Sequence, residues 1–131
     1  SFDNKFEKKN NGQVVYDHAS GLMWQQSGSD EYMTFVKAMV YIIKLNSDRF
    51  AGYSDWRMPT LEEAMSLVEP TQEDGYLYIK PLYIDPLFDK TQIWIWTTDL
   101  YDTSSAWIVS FYYGLCSRFY INDNCYVRAV R

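Results

Sequence analysis

Positive charge is scarce in this chain of 131 residues: 12 Lys and Arg stand against 17 Asp and Glu, giving a formal net charge of -5 and a pI near 4.7. Gripping a phosphate backbone or a sulfated polymer takes clustered cations, so nucleic acid is disfavoured as a partner. Histidine occurs once and cysteine twice. Two cysteines are too few for a disulfide scaffold, and Cys116 and Cys125 lack metal-ligand spacing; they either pair across a hairpin or loop or stand as free thiols. No apolar run approaches the ~18 residues of a membrane span, and the polar stretch 1–9 does not read as a signal peptide. With only 4 Pro and 6 Gly, and no linker, repeat or low-complexity run, residues 1–131 are expected to form one domain.

Aromatic residues are abundant. Tyr (12), Phe (7) and Trp (5) make up 18% of the chain, more than a core of this size requires, so some rings are expected at the surface. Asn10-Asn11-Gly12 and Ser20-Gly21 are turn signals, and between and after them residues 13–17 and 22–24 read as strands of a hairpin. From residue 31 to about 45, Phe35, Val36, Met39, Val40 and Ile43 recur at amphipathic spacing, with Asp30 placed to cap the helix. Thr60 and Glu63 have the offset of a capping box ahead of Leu61, Ala64, Met65 and Val68, which predicts a second helix ending by Pro70.

Residues 71–90, with Gly75, Pro81 and Pro86, read as a long ordered loop packed by its own Tyr and Leu side chains. Residues 93–98, 106–111 and 126–131 are β-rich, and Trp107, Val109 and Phe111 alternate with Ile108 and Ser110. These predict an α+β domain with antiparallel sheet behind two helices. Trp24, Trp56, Trp96 and Trp107 are expected as core rings, and Asp55, Arg57 and Arg128 as an internal ion pair fixing the loop after the first helix.

Several strings occur in order: Val15-x-Asp17, Gly21-Leu22-Met23-Trp24-Gln25, and Gly52-Tyr53-x-Asp55-Trp56-Arg57-Met58-Pro59-Thr60. They continue as Ile84-Asp85-Pro86-x-Phe88, Trp96-Thr97-Thr98, Ala106-Trp107-x-Val109-x-Phe111-x-x-Gly114 and Tyr126-Val127-Arg128-x-Val130-Arg131. With these strings the chain resembles the Lcl C-terminal domain family, named for the C-terminal domain of a collagen-like bacterial adhesin. The resemblance implies a C-type-lectin-like fold of the variety shared with formylglycine-generating enzymes, with both termini in one sheet, used for adhesion and ligand binding. Where the family commonly has Cys between the two Val-Arg pairs this chain has Ala129, which puts a family disulfide there in doubt.

Residues 112–125 differ from the rest. Their Tyr, Ser, Gly and Asn vocabulary is that of an antibody-like contact loop, in which Tyr gives large area at low entropic cost. Tyr112, Tyr113, Leu115, Ser117, Phe119, Tyr120, Asn122, Asp123 and Asn124 are therefore the candidate ligand-contacting residues. Every residue of the segment can be encoded by a codon ending in C with its first two bases free, the outcome of randomising adenines in Asn codons. Lys, Glu, Gln, Met and Trp cannot arise that way; they are frequent elsewhere and absent here. In this the segment resembles variable proteins of diversity-generating retroelements, which have C-type-lectin-like folds and mutate a C-terminal stretch. The alternative is a fixed Tyr-rich strand and loop chosen for packing.

No catalytic set emerges, so the chain reads as a non-enzyme. His18 lies beside Asp17 and near Ser20, where a solvated or hydrogen-bonded structural role is expected. The cysteine setting does not match the reactive pair of formylglycine-generating enzymes. Glu69-Pro70-Thr71 only partly matches a calcium-holding loop, and Asp85, Asp89, Asp99, Asp102 and Asp123 read as turn and cap formers, so neither cofactor nor metal is expected. The expected partner is a protein or cell-surface ligand, with glycan as one form, and the expected location is the cell surface or outside it. The other readings are a fixed-sequence adhesin domain binding surface glycans, a formylglycine-generating-type enzyme, and an interaction module of a larger envelope protein.

Overall fold

The computed structural model describes residues 4–71 and 82–131. It holds two three-stranded antiparallel sheets and two α-helices. The first sheet runs β1 (Phe6–Lys9), β2 (Val14–Asp17), β3 (Met23–Gln25), and the second runs β4 (Trp94–Asp102), β5 (Ser105–Ser110), β6 (Leu115–Tyr120). The hairpin joining β2 to β3 matches the expectation; β1, in a stretch read only as polar and charged, is an added edge strand whose turn is Asn10-Asn11-Gly12. Asp17 ends β2 by accepting from the amides of Lys5 and Ala19 and the hydroxyl of Ser20.

The first helix, α1 (Phe35–Ser47), starts later than expected, and Thr34 rather than Asp30 accepts from the Lys37 amide. Its inward face is also different. Val36, Met39, Val40 and Ile43 are exposed, while Ala38 is buried and Phe35, Tyr41 and Ile42 pack behind it. Ala38 sits in a cluster with Trp96, Ile108 and Cys125, and the larger side chains beside it pack around that cluster. Substituting Ile43 by Ser should therefore shift stability by only about 0.5 kcal/mol in a denaturant titration, far below the loss a core isoleucine would give.

Past α1, Asn46 accepts from the Trp56 amide and donates to the Trp56 carbonyl, at 2.7 and 2.8 Å, which seats Trp56 in the core. The second helix, α2 (Leu61–Met65), carries the expected capping box: Thr60 accepts from Glu63 N, and Glu63 accepts from Thr60 N. The expected ion pair among Asp55, Arg57 and Arg128 does not form, and two other pairs stand in its place. Arg57 donates to both Glu63 oxygens at 2.7 and 2.8 Å, and Asp55 accepts from Arg131 at 2.6 Å. Among the described residues Arg128 forms no salt bridge; its guanidinium is wholly buried among carbonyl oxygens.

Glu63 is held below the usual carboxylate range by its Arg57 bonds, against some burial, and by the Thr60 amide. A carboxyl with a depressed folded pKa contributes stability that is full above its unfolded value of ~4.3 and is lost as pH falls through the folded one. Glu63→Gln should accordingly cost about 1–2 kcal/mol at pH 7, and the difference from the parent should shrink in titrations taken downward from about pH 5 as the carboxyl protonates.

Leu82, Ile84 and Phe88, from the end of the expected loop, join Trp24, Ile95, Val109, Phe111 and Val130 in the largest core cluster. The rest of that loop, with Gly75 and Pro81, lies outside the described residues. Trp24, Trp56 and Trp96 are core rings as expected; Trp107 is only half-buried and meets Tyr101 edge-on at 5.8 Å. The C-terminal stretch is not a continuous strand. Arg131 exchanges two backbone hydrogen bonds with Met23 of β3, Val130 exchanges two with Arg57, and Tyr126 exchanges two with Trp94 and Trp96 of β4. Its side chains Val127, Ala129 and Val130 enter three separate clusters, so this stretch joins the two sheets.

Candidate binding surface

Residues 115–120 form strand β6 rather than a loop. The segment 111–114 turns back on itself: Gly114 has a φ of 71° and lies over the Tyr83 ring, where any Cβ would collide. Alternation then puts Leu115, Ser117 and Phe119 on one face of the sheet and Cys116, Arg118 and Tyr120 on the other. The register is Ser110↔Leu115 through Ser105↔Tyr120, so β5 holds β6 along its length.

The candidate contact residues do not form one patch. Tyr113, Leu115, Ser117 and Phe119 join Trp94, Ile108 and Ser110 around an apolar concavity of about 220 Å3. Phe119 and Tyr120 instead border a polar recess of about 240 Å3 with Tyr101, Asp102, Ser105 and Arg118. Tyr113 is 68% exposed, Tyr120 69% and Leu115 47%. Tyr112 is half-buried against the largest core cluster and meets Tyr113 edge-on at 4.8 Å. Phe119 is half-buried too, meeting Trp96 edge-on at 6.3 Å. Asn122, Asp123 and Asn124 are exposed in the turn after β6, where Asp123 accepts from the Tyr120 amide at 3.0 Å.

Reading from sequence missed Trp94, Tyr101, Asp102 and Arg118. Arg118 was open to discovery, being the lone Lys or Arg between Lys90 and Arg128. The others sit on β4 and reach the surface only through strand pairing. The buried boundaries are sharp: Phe111 and Cys125 are fully buried, and no residue between them is.

His18 bonds Glu7 at 2.7 Å, while Ser20 donates to Asp17, so histidine and serine are engaged separately. Cys116 and Cys125 are unpaired, and burial pushes the Cys125 thiol up in pKa. Among the described residues, no group of three or more His, Cys, Asp or Glu is placed to hold a metal ion. Asp85, Asp89, Asp99, Asp102 and Asp123 each accept from a nearby amide. No described helix is long and apolar enough to cross a membrane. Residues 13–131 match the family described as the Lcl C-terminal domain. No curated protein matches the chain.

Proposed function

From the premise that the chain belongs to the Lcl C-terminal domain family, we propose that it is a ligand-binding domain of C-type-lectin-like fold. It binds rather than catalyses, and it works at the cell surface or outside it. The contact surface is the β6 hairpin and the turn that follows, recognising a protein or cell-surface ligand. Tyr113, Leu115 and Tyr120 are the anchors, with serine and asparagine setting hydrogen-bond specificity.

We further read the segment as diversified by a retroelement. One observation carries this: between buried Phe111 and Cys125 no side chain is fully buried, and every residue of 112–125 lies inside a longer run, Ile108 to Arg131, whose residues all fit codons with two randomised bases. Side chains there change at little cost to the core, because β5 and the C-terminal stretch supply the packing. Cys125 stands at the margin, inside the codon pattern but in the core.

Sequencing the locus from sister genomes tests the reading. The expected result is change confined to the first two bases of codons within 112–125, with residues 93–111 and 126–131 fixed. Even divergence along the gene would leave a fixed-sequence adhesin domain instead.

A further inference from the structure

The polar side of β6 carries one cation in an acidic neighbourhood. Arg118 lies across from Trp107 on β5, and its guanidinium carbon sits 4.2 Å from the centroid of the Tyr101 ring. Tyr101 is in turn braced edge-on by Trp107. A guanidinium stacked on a ring keeps its N–H edge free, and that planar fork matches the two oxygens of a carboxylate.

The nearby acids do not take it. Asp102 Oδ1 accepts from the Ser104 amide and from the hydroxyls of Ser104 and Ser105, at 2.9, 3.2 and 2.7 Å. Asp123 accepts from the Tyr120 amide and Asp99 from the Leu61 amide. Among the described residues Arg118 makes no ion pair. The recess beside it is open to a small group and is bordered by Tyr120, itself exposed.

We propose that Arg118, stacked on Tyr101, is a subsite for a carboxylate on the partner, and that the partner is therefore a protein presenting an Asp or Glu side chain to β6. This rests on reading β6 as a contact surface and adds the chemistry of one position to it. A doubly charged phosphate fits less well, since Asp102 borders the same recess and the domain is acidic overall. Tyr101 belongs to β4, outside the diversified stretch, so it is a standing platform for whatever residue occupies position 118.

The test is selection of a random peptide library displayed on phage against the 131-residue chain, with the selected peptides then measured on Arg118→Gln, Arg118→Lys and Tyr113→Ala/Leu115→Ala. Both Arg118 variants should keep the parent melting temperature, because the side chain is exposed. Selected peptides are expected to share an Asp or Glu at one position. Binding should fall about tenfold or more on Arg118→Gln and on changing that acid to its amide, without a further fall when both changes are combined. Arg118→Lys should recover only part of the loss. Peptides with no shared acid, or with one indifferent to Arg118→Gln, overturn the subsite; if those same peptides lose binding on Tyr113→Ala/Leu115→Ala, the contact surface stands without it. Peptides indifferent to every variant, or no selection above bare matrix, remove the contact surface as well.

Discussion

Arg128→Met is expected to destabilise the domain by about 3–5 kcal/mol, out of the ~5–15 kcal/mol that holds a typical domain together. Arg128 Nη1 donates to the carbonyls of Gln25 and Gln26, and Nη2 to the Asp89 carbonyl and the Gln92 side-chain oxygen, at 2.7, 2.6, 3.0 and 3.1 Å. Methionine fills comparable volume but leaves those acceptors buried without donors. The damage would spread, because Gln92 also donates to the Ser29 carbonyl and Gln25 accepts from the Ala129 amide. These bonds fasten the end of β3, the approach to β4 and the C-terminal stretch to one another.

Burial, against the opposing pull of Asp89 and Tyr41, lowers the Arg128 pKa to about 10. The group stays charged through the neutral range, held by carbonyl dipoles and by the Phe88 ring 4.8 Å away. Its Nε is buried without a partner, so the site is not fully satisfied. Arg128→Lys should therefore fall short of rescue, since one ammonium cannot span four acceptors on separate segments. A thermal melt decides the matter: the Met variant should lose about 10 °C or more, and a loss under about 3 °C would mean that water replaces the guanidinium at little cost.

How much of this was legible beforehand depended on range. The capping box at Thr60 and Glu63 and the turn at Asn10-Asn11-Gly12 are local patterns, and both appear as expected. The first helix was visible but its orientation was not: apolar residues lie on two faces of Phe35–Ser47, and periodicity cannot say that small Ala38 marks the inward one. Asp55 and Arg131 stand 76 residues apart, and nothing local links them. Within 112–125 the composition marked out the unusual segment, yet suggested a loop. The alternation of Leu115, Ser117 and Phe119 with Cys116, Arg118 and Tyr120 was present, but two serine and cysteine positions blurred its polarity, and only pairing with β5 resolves it into a strand.

That strand geometry decides which substitutions isolate recognition from folding. Phe119 looks like a contact residue in sequence, but its ring packs on Trp96, so Phe119→Ala should cost about 2 kcal/mol or more of stability and would confound a binding test. Tyr113, Leu115 and Tyr120 instead project from the hairpin with most or about half of their surface in water. The triple change Tyr113→Ala, Leu115→Ala and Tyr120→Ala is expected to leave the melting temperature within about 3 °C of the parent. Binding of peptides selected on the parent should nevertheless weaken about 100-fold or more, because aromatic anchors carry most of the energy of such contacts. Tyr113 and Leu115 line the apolar concavity beside Trp94, while Tyr120 borders the recess holding Arg118, so the change strips both sides of β6 together. Unfolding of the triple variant would assign these rings to packing. Unchanged affinity in a folded variant would move recognition off β6 altogether.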